Sequence, residues 1–337
     1  MPSRILICLL CLAADAIAAL TAQQKAKNLE SFEIVWKTVR DRSPDAALKG
    51  LDWKAVHDQT RPLIEKAGSM EEVRSDLQAM LSKLGLSHYA IIPKDRYQDP
   101  SPAPASATGE PVPHAEPAAV PSEEKATPAP ETDDKIVSFG NLPDMHLIFE
   151  TKLLPSGTGY IRFNEFLDPV SLMPKIENAL KDYAGAPGVI IDLRGNRGGI
   201  GIMAMGIAGF FISEPGQKLG EMTMREATLK FVVFPRAEIY KGRLAILVDS
   251  GSASTTEIFA QGMQDLGRAR IFGTLTAGAA LPSDIVQLPN GDRFQFAEAG
   301  YTSVKGKVLE GNGVTPDVEI RDASAVIDAA DAWIQSK

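Results

Sequence analysis

Residues 248–284, "VDSGSASTTEIFAQGMQDLGRARIFGTLTAGAALPSD", leave an apolar strand, pass through a glycine and several small residues, and enter a helix. Within that helix Ile258, Phe259, Met263 and Leu266 recur at the spacing of one buried face. Ser254 stands where strand gives way to helix, and two chemistries suit it there. As an N-cap it would accept a hydrogen bond from the unpaired N–H groups of the first turn. As a nucleophile it would use the same N–H groups and the helix dipole to stabilise a developing negative charge. A serine hydroxyl attacks poorly until a base takes its proton, so the choice depends on the rest of the chain.

Working upstream, "GVIIDLRGNRGG" (188–199) is a continuous apolar run that ends in a glycine-rich turn, as a strand buried on both faces would. "IGIMAMGIAGFFI" then reads as an apolar helix and "RLAILVD" as a second buried strand, while "GTGYIRFNEF" alternates and "LMPKIENALKDYA" is helical. Two strand–helix–strand units imply an α/β domain with a parallel sheet. Short alternating strands are expected from Asp284 to Glu319, and "DASAVIDAADAWIQS" closes the chain as a capped helix. Adjacent glycines let backbone N–H groups approach a ligand, so Gly198 or Gly199 could supply one oxyanion donor and Thr255 N–H the other. The glycine turn lacks the spacings of the nucleotide-binding loops. Asp192 and Arg194 are expected to pair and shape the turn.

The N-terminal part reads differently. Phe32, Val35, Trp36 and Val39, then Val73, Leu77, Met80, Leu81 and Leu84, form helical stripes, and Ser69 with Glu72 reads as a capping box. These predict a small helical bundle over 23–96. Nine of the 23 prolines fall between Pro100 and Pro130 with hardly a large apolar residue, so 97–135 is expected to be a linker unable to offset its ordering entropy. Residues 1–22 have the layout of a secretory signal: one charge at the start, an apolar stretch interrupted by Asp15, and small residues near Ala18 and Ala22. Cys8 and Cys11 both lie inside it, so a processed chain has neither disulfide nor cysteine nucleophile. The core domain is expected over 136–337.

The whole chain has 337 residues, 44% hydrophobic and 23% charged, with a net charge of −8. That balance and the absence of a basic run argue against nucleic acid or an anionic membrane surface as the main partner. Stable membrane insertion after signal cleavage is not expected. No cluster of His, Asp and Glu has metal-ligand spacing, and no cofactor is implied.

The set "GYIRFNEF", "GVIIDLRGNRGG", "VDSGSASTTEIFAQGMQDLGRARIFG" and "LEGNGVTPDVEI", in this order over Gly157 to about Ile320, resembles the C-terminal processing (tail-specific) peptidases and the related tricorn core peptidases. "LSKLGLSHYAII" (81–92) is similar to the end of their N-terminal bundle. The resemblance implies a crotonase-like α/β sandwich core preceded by a helical bundle. It makes Ser254 the nucleophile, from the family's S-A-S-x-x-E pattern, with Glu257 matching the glutamate. The processing branch takes its base from a lysine in a T-F-G-K-G stretch, but this chain reads "LTAGAAL" there, with Ala279 in the lysine position. The tricorn-like branch instead implies His88 as base and Glu310 as the carboxylate that orients it. Of the four histidines, His57, His114 and His146 lie outside the matching motif. A PDZ module between bundle and core is common in the family, and the proline-rich segment stands in its place. The resemblance thus implies an exported, periplasmic or secreted serine peptidase acting on proteins or oligopeptides. An inactive relative that binds peptides or ligands in the same groove is the alternative.

Overall fold

The computed structural model of the protein describes residues 19–96, 130–137 and 145–336. Nearly all of the expected signal segment and most of the expected linker lie outside the described residues. Helix α1 (Ala22–Arg42) buries Phe32, Val35 and Val39 on one face, and α2 (Trp53–Lys66) and α3 (Met70–Ser82) close over it. Two indoles clamp α1 to α2 reciprocally: Trp36 Nε1 donates to Trp53 O at 2.9 Å, and Trp53 Nε1 to Trp36 O at 3.0 Å. At the start of α3 Ser69 Oγ accepts from Glu72 N–H at 3.1 Å, but Glu72 Oε2 reaches back to Gly68 N–H rather than Ser69 N–H, at 2.7 Å. Two orphan donors are satisfied by a box displaced one residue upstream.

After the bundle the chain forms a short strand, β1 (Ala90–Ile92), and then the core elements β2 (Glu131–Val137), β3 (Met145–Leu153), β4 (Gly159–Phe163), α4 (Pro169–Asp182), β5 (Gly188–Asp192) and α5 (Gly201–Ala208). β6 (Lys218–Thr223), β7 (Thr228–Val232), β8 (Arg243–Val248), α6 (Thr255–Asp265) and β9 (Arg270–Gly273) follow. The chain ends with β10 (Ser283–Gln287), β11 (Arg293–Ala297), β12 (Gly300–Ser303), β13 (Val318–Glu319) and α7 (Val326–Gln335). A seven-stranded sheet in the order β13-β9-β8-β5-β4-β3-β2 is the frame. β13 through β4 run parallel, and β3 and β2 are added antiparallel at one edge. Its strands alternate between two cores: Ile191, Ile246 and Val248 face α4, α5 and α6, while Ile190, Ala245 and Leu247 face α7. That is the α/β sandwich expected from the sequence.

Two expectations are corrected. Residues 131–135 are sheet rather than linker, because β2 pairs with β3 from Glu131↔Thr151 onward and its charges find partners, Lys135 on Asp168 at 2.7 Å and Asp133 on Lys175. Helix α7 has no side-chain cap, since Ser324 turns to Asp322 instead, Oγ to Oδ1 at 2.6 Å.

β10 and β11 leave the main sheet and, with β1, build a three-stranded sheet in the order β1-β11-β10. Its apolar residues Phe294 and Phe296, with Leu288 in the turn between β10 and β11, belong to the same core as Phe32, Val73 and Leu77 of the bundle. On α3, Arg74 grips Asp292 with two hydrogen bonds, 2.7 and 3.0 Å. The Asp292 side chain is fully buried, and such a carboxylate is tolerable only when paired and hydrogen-bonded. Bundle and core therefore share one hydrophobic interior rather than touching at a surface.

Candidate active site

β5 and β8 pair in parallel register, Asp192 beside Leu247, so the turns that follow them emerge side by side at the same edge of the sheet. The first is the glycine turn, and the second carries Ser254 into α6. Buried Asn196 joins them. Its Oδ1 accepts from Gly198 N–H at 2.9 Å and Thr256 Oγ1 at 2.7 Å, its Nδ2 donates to Phe163 O at 2.9 Å, and its carbonyl accepts from Ala253 N–H at 3.0 Å. Asp192 and Arg194 pair as expected, Nη2 to Oδ2 at 2.6 Å, and Arg194 Nη1 reaches Ala323 O at 2.7 Å.

Ser254 is the N-cap residue of α6 and has φ 56° and ψ −121°, a backbone conformation that non-glycine residues rarely adopt. The surroundings enforce it. Ser254 N–H donates to Ala279 O at 2.8 Å and to Glu257 Oε2 at 3.1 Å. The fully buried Glu257 also takes Ala279 N–H at 2.9 Å, Gly278 N–H at 2.8 Å and the Thr276 hydroxyl. With both oxygens occupied by donors, Glu257 ties the loop after β9 to the serine turn. Strain held by surroundings that over-determine it is common at reactive residues.

The two glycines differ in their hydrogen bonds. Gly198 N–H is spent on Asn196. Among the described residues the N–H groups of Gly199 and Thr255 have no such partner, and Thr255 Oγ1 donates to Gly199 O at 2.7 Å, drawing the two segments together. Neither glycine tolerates a side chain: at φ 98° a Cβ on Gly198 would lie 2.7 Å from Thr255 N, and at φ 133° one on Gly199 would lie 2.4 Å from Phe166 O.

His88 precedes β1, whose pairing with β11 carries it to the core. It lines the same cleft as Ser254 and Gly199, with a volume of about 810 Å³. Glu310 reaches the imidazole through Ser87 rather than directly. Its carboxylate takes Ser87 N–H at 2.6 Å, the Ser87 hydroxyl at 2.8 Å and Ala280 N–H at 3.1 Å, while Ser87 Oγ lies 2.7 Å from His88 Nδ1. A carboxylate only accepts, so the Ser87 proton points at Glu310 and the Ser87 lone pair receives Nδ1–H. That assignment leaves Nε2 with a free lone pair. Burial lowers the His88 pKa below its ordinary 6.5, and the negative charge of Glu310 opposes that shift.

Ser87, Asn196 and Glu165 went unassigned in the sequence reading. The Ser-His dipeptide and the asparagine of "RGNRGG" were signals for the first two. Glu165 also lines the cleft, and burial, opposed by Arg197, pushes its carboxyl up to about 7.

A strained serine at a helix N-terminus, two N–H groups beside it with no partner among the described residues, and a histidine thus lie on one cleft. The model "Peptidase family S41" matches residues 157–320, and the model "Tricorn protease C1 domain" matches residues 24–82. Among curated relatives, "Probable CtpA-like serine protease" of Staphylococcus epidermidis (strain RP62A) is 29% identical over 170 residues, 48% of this chain and 33% of the relative. The match thus spans about a third of that relative's length. The fold is shared with the photosystem II D1 C-terminal processing protease (TM-score 0.55, 15% identity, 94% of this chain and 98% of that one). It is shared too with the tricorn protease (TM-score 0.57, 13% identity, 92% of this chain and 37% of that one).

Proposed function

We propose that this chain is an exported serine endopeptidase or oligopeptidase that cleaves proteins or peptides through an acyl-enzyme. The observation that carries the reading is the hydrogen-bonded series Glu310, Ser87 and His88 in the cleft that Ser254 faces. Ser254 Oγ adds to the scissile carbonyl carbon as its proton passes to His88 Nε2, and the oxyanion is received by the N–H groups of Gly199 and Thr255. Collapse breaks the C–N bond, and His88 returns the proton to the leaving amine. Water, deprotonated by His88, then attacks the acyl-enzyme, and release of the acid regenerates the Ser254 hydroxyl. Glu310 and Ser87 act through His88 by fixing its tautomer and its ring. Export rests on the signal-like residues 1–22. Among the described residues no helix is long and apolar enough to cross a membrane.

A fluorophosphonate probe is expected to label the wild-type protein on Ser254, with the adduct found by mass spectrometry and absent from Ser254→Ala. Labelling that persists in Ser254→Ala, or wild-type protein that resists the probe, would sink the assignment.

The histidine adds a pH signature. A base works when unprotonated, so a lowered pKa keeps it competent in more acidic solution, and the acid limb of kcat/KM is expected below pH 6.5. Glu310→Gln removes the charge that opposes the lowering, so its acid limb should move further down while its turnover falls. An acid limb that moves up in Glu310→Gln would contradict the arrangement.

A further inference from the structure

Glu165 belongs to a segment that runs along the glycine turn. The next residue, Phe166, donates from N–H to Gly198 O at 2.6 Å and accepts from Ile200 N–H at 2.8 Å. Glu165 is therefore one residue from the chain that packs on Gly199, and its side chain lines the cleft that also holds Ser254 and His88. It is 8% exposed, and among the described residues its carboxyl makes no hydrogen bond and no ion pair.

Burying a carboxyl without a partner costs folding free energy. Elsewhere the same chain avoids that cost, since the buried Asp192 and Asp292 are each gripped by two nitrogens of an arginine. Glu165 has only the field of Arg197, an exposed residue of the glycine turn that does not close on it as an ion pair. Nothing in the packing of the protein requires an acid at this position, whereas a cleft that receives an extended peptide can bring the missing counter-charge with it.

We propose that Glu165 is a subsite for a cationic side chain, lysine or arginine, adjoining the scissile bond of the peptide substrate. The proposal rests on the peptidase reading of the cleft and narrows its substrate class. The placement carries it: the side chain, largely buried, opens onto the cleft that Gly199 and Ser254 also line, where a charge pair with an incoming cation discriminates between side chains. Arg197 is the internal rival of the incoming cation, because its positive charge acts on the same carboxylate.

The test uses the full chain and peptides identical except for lysine, norleucine or glutamate at each of the two positions on either side of the bond. At one position the wild-type protein is expected to show a lysine-to-norleucine ratio of kcat/KM of about tenfold or more. In Glu165→Gln that ratio is expected to fall to about one, and in Arg197→Gln to rise. A ratio is internal to each protein, so it survives differences in overall activity. Absence of a lysine preference in the wild type, a preference that persists in Glu165→Gln, or a ratio in Arg197→Gln that does not rise each overturns the subsite. Failure of the wild type to cleave any peptide in the set overturns the peptidase reading instead.

Discussion

Ser254→Ala, His88→Ala and the double variant are expected to lose peptide hydrolysis by nearly the same factor, on the order of 10⁴-fold or more. In the proposed mechanism nucleophile and base act as one unit. Without His88 the Ser254 proton has no acceptor, and without Ser254 the lone pair on Nε2 has no hydroxyl to serve. Once either is gone, removing the other costs little, and what survives comes from the oxyanion donors and from binding. The measurement is kcat/KM of the three variants on one peptide, with circular dichroism to show that each is folded. Losses that multiply in the double variant would mean that the two residues act independently, and the base for Ser254 would have to be sought elsewhere.

The second large effect concerns the helical bundle. Proton transfer requires heavy atoms within about 3 Å, so His88 has to be held firmly against the core. That task falls to the pairing of β1 with β11 and to the shared interior of Phe32, Val73, Leu77, Phe294 and Phe296. Protein nicked between Pro100 and Pro130 is expected to stay associated through gel filtration and to remain active. The core expressed alone from Glu131 onward is expected to be inactive, since it lacks His88 and Ser87, and to regain activity when residues 23–96 are added. It should also be aggregation-prone, because Phe294 and Phe296 lose their cover. Full activity from the core alone would remove His88 from the mechanism.

Periodicity alone determined the main architecture. The apolar runs 188–192 and 243–248 became adjacent parallel strands, and the stripes over 32–39 and 73–84 became the buried faces of bundle helices, because a segment's period decides which face it can bury. Resemblance to a peptidase family, carried by motifs in order along the chain, is what pointed to Ser254, His88 and Glu310 as candidates. What spacing could not convey was which atoms meet. Glu310 and Ser87 are 223 positions apart, yet the carboxylate closes on Ser87 rather than on the imidazole next to it. That depends on where β11 sets β1, a pairing of residues over 200 positions apart that no local pattern encodes. Gly198 and Gly199 are likewise interchangeable as letters, and only the fold spends one N–H on Asn196 and leaves the other open to the cleft. Glu165 ends a strand pattern that reads as ordinary half-exposed alternation. Its burial beside the glycine turn, without a counter-ion, arises because the tertiary structure encloses it while the partners that paired Asp192 and Asp292 lie elsewhere. Hydrophobic period is a property of neighbours in the chain, whereas desolvation and hydrogen-bond partnership are properties of neighbours in space, so only the second kind waited for the fold.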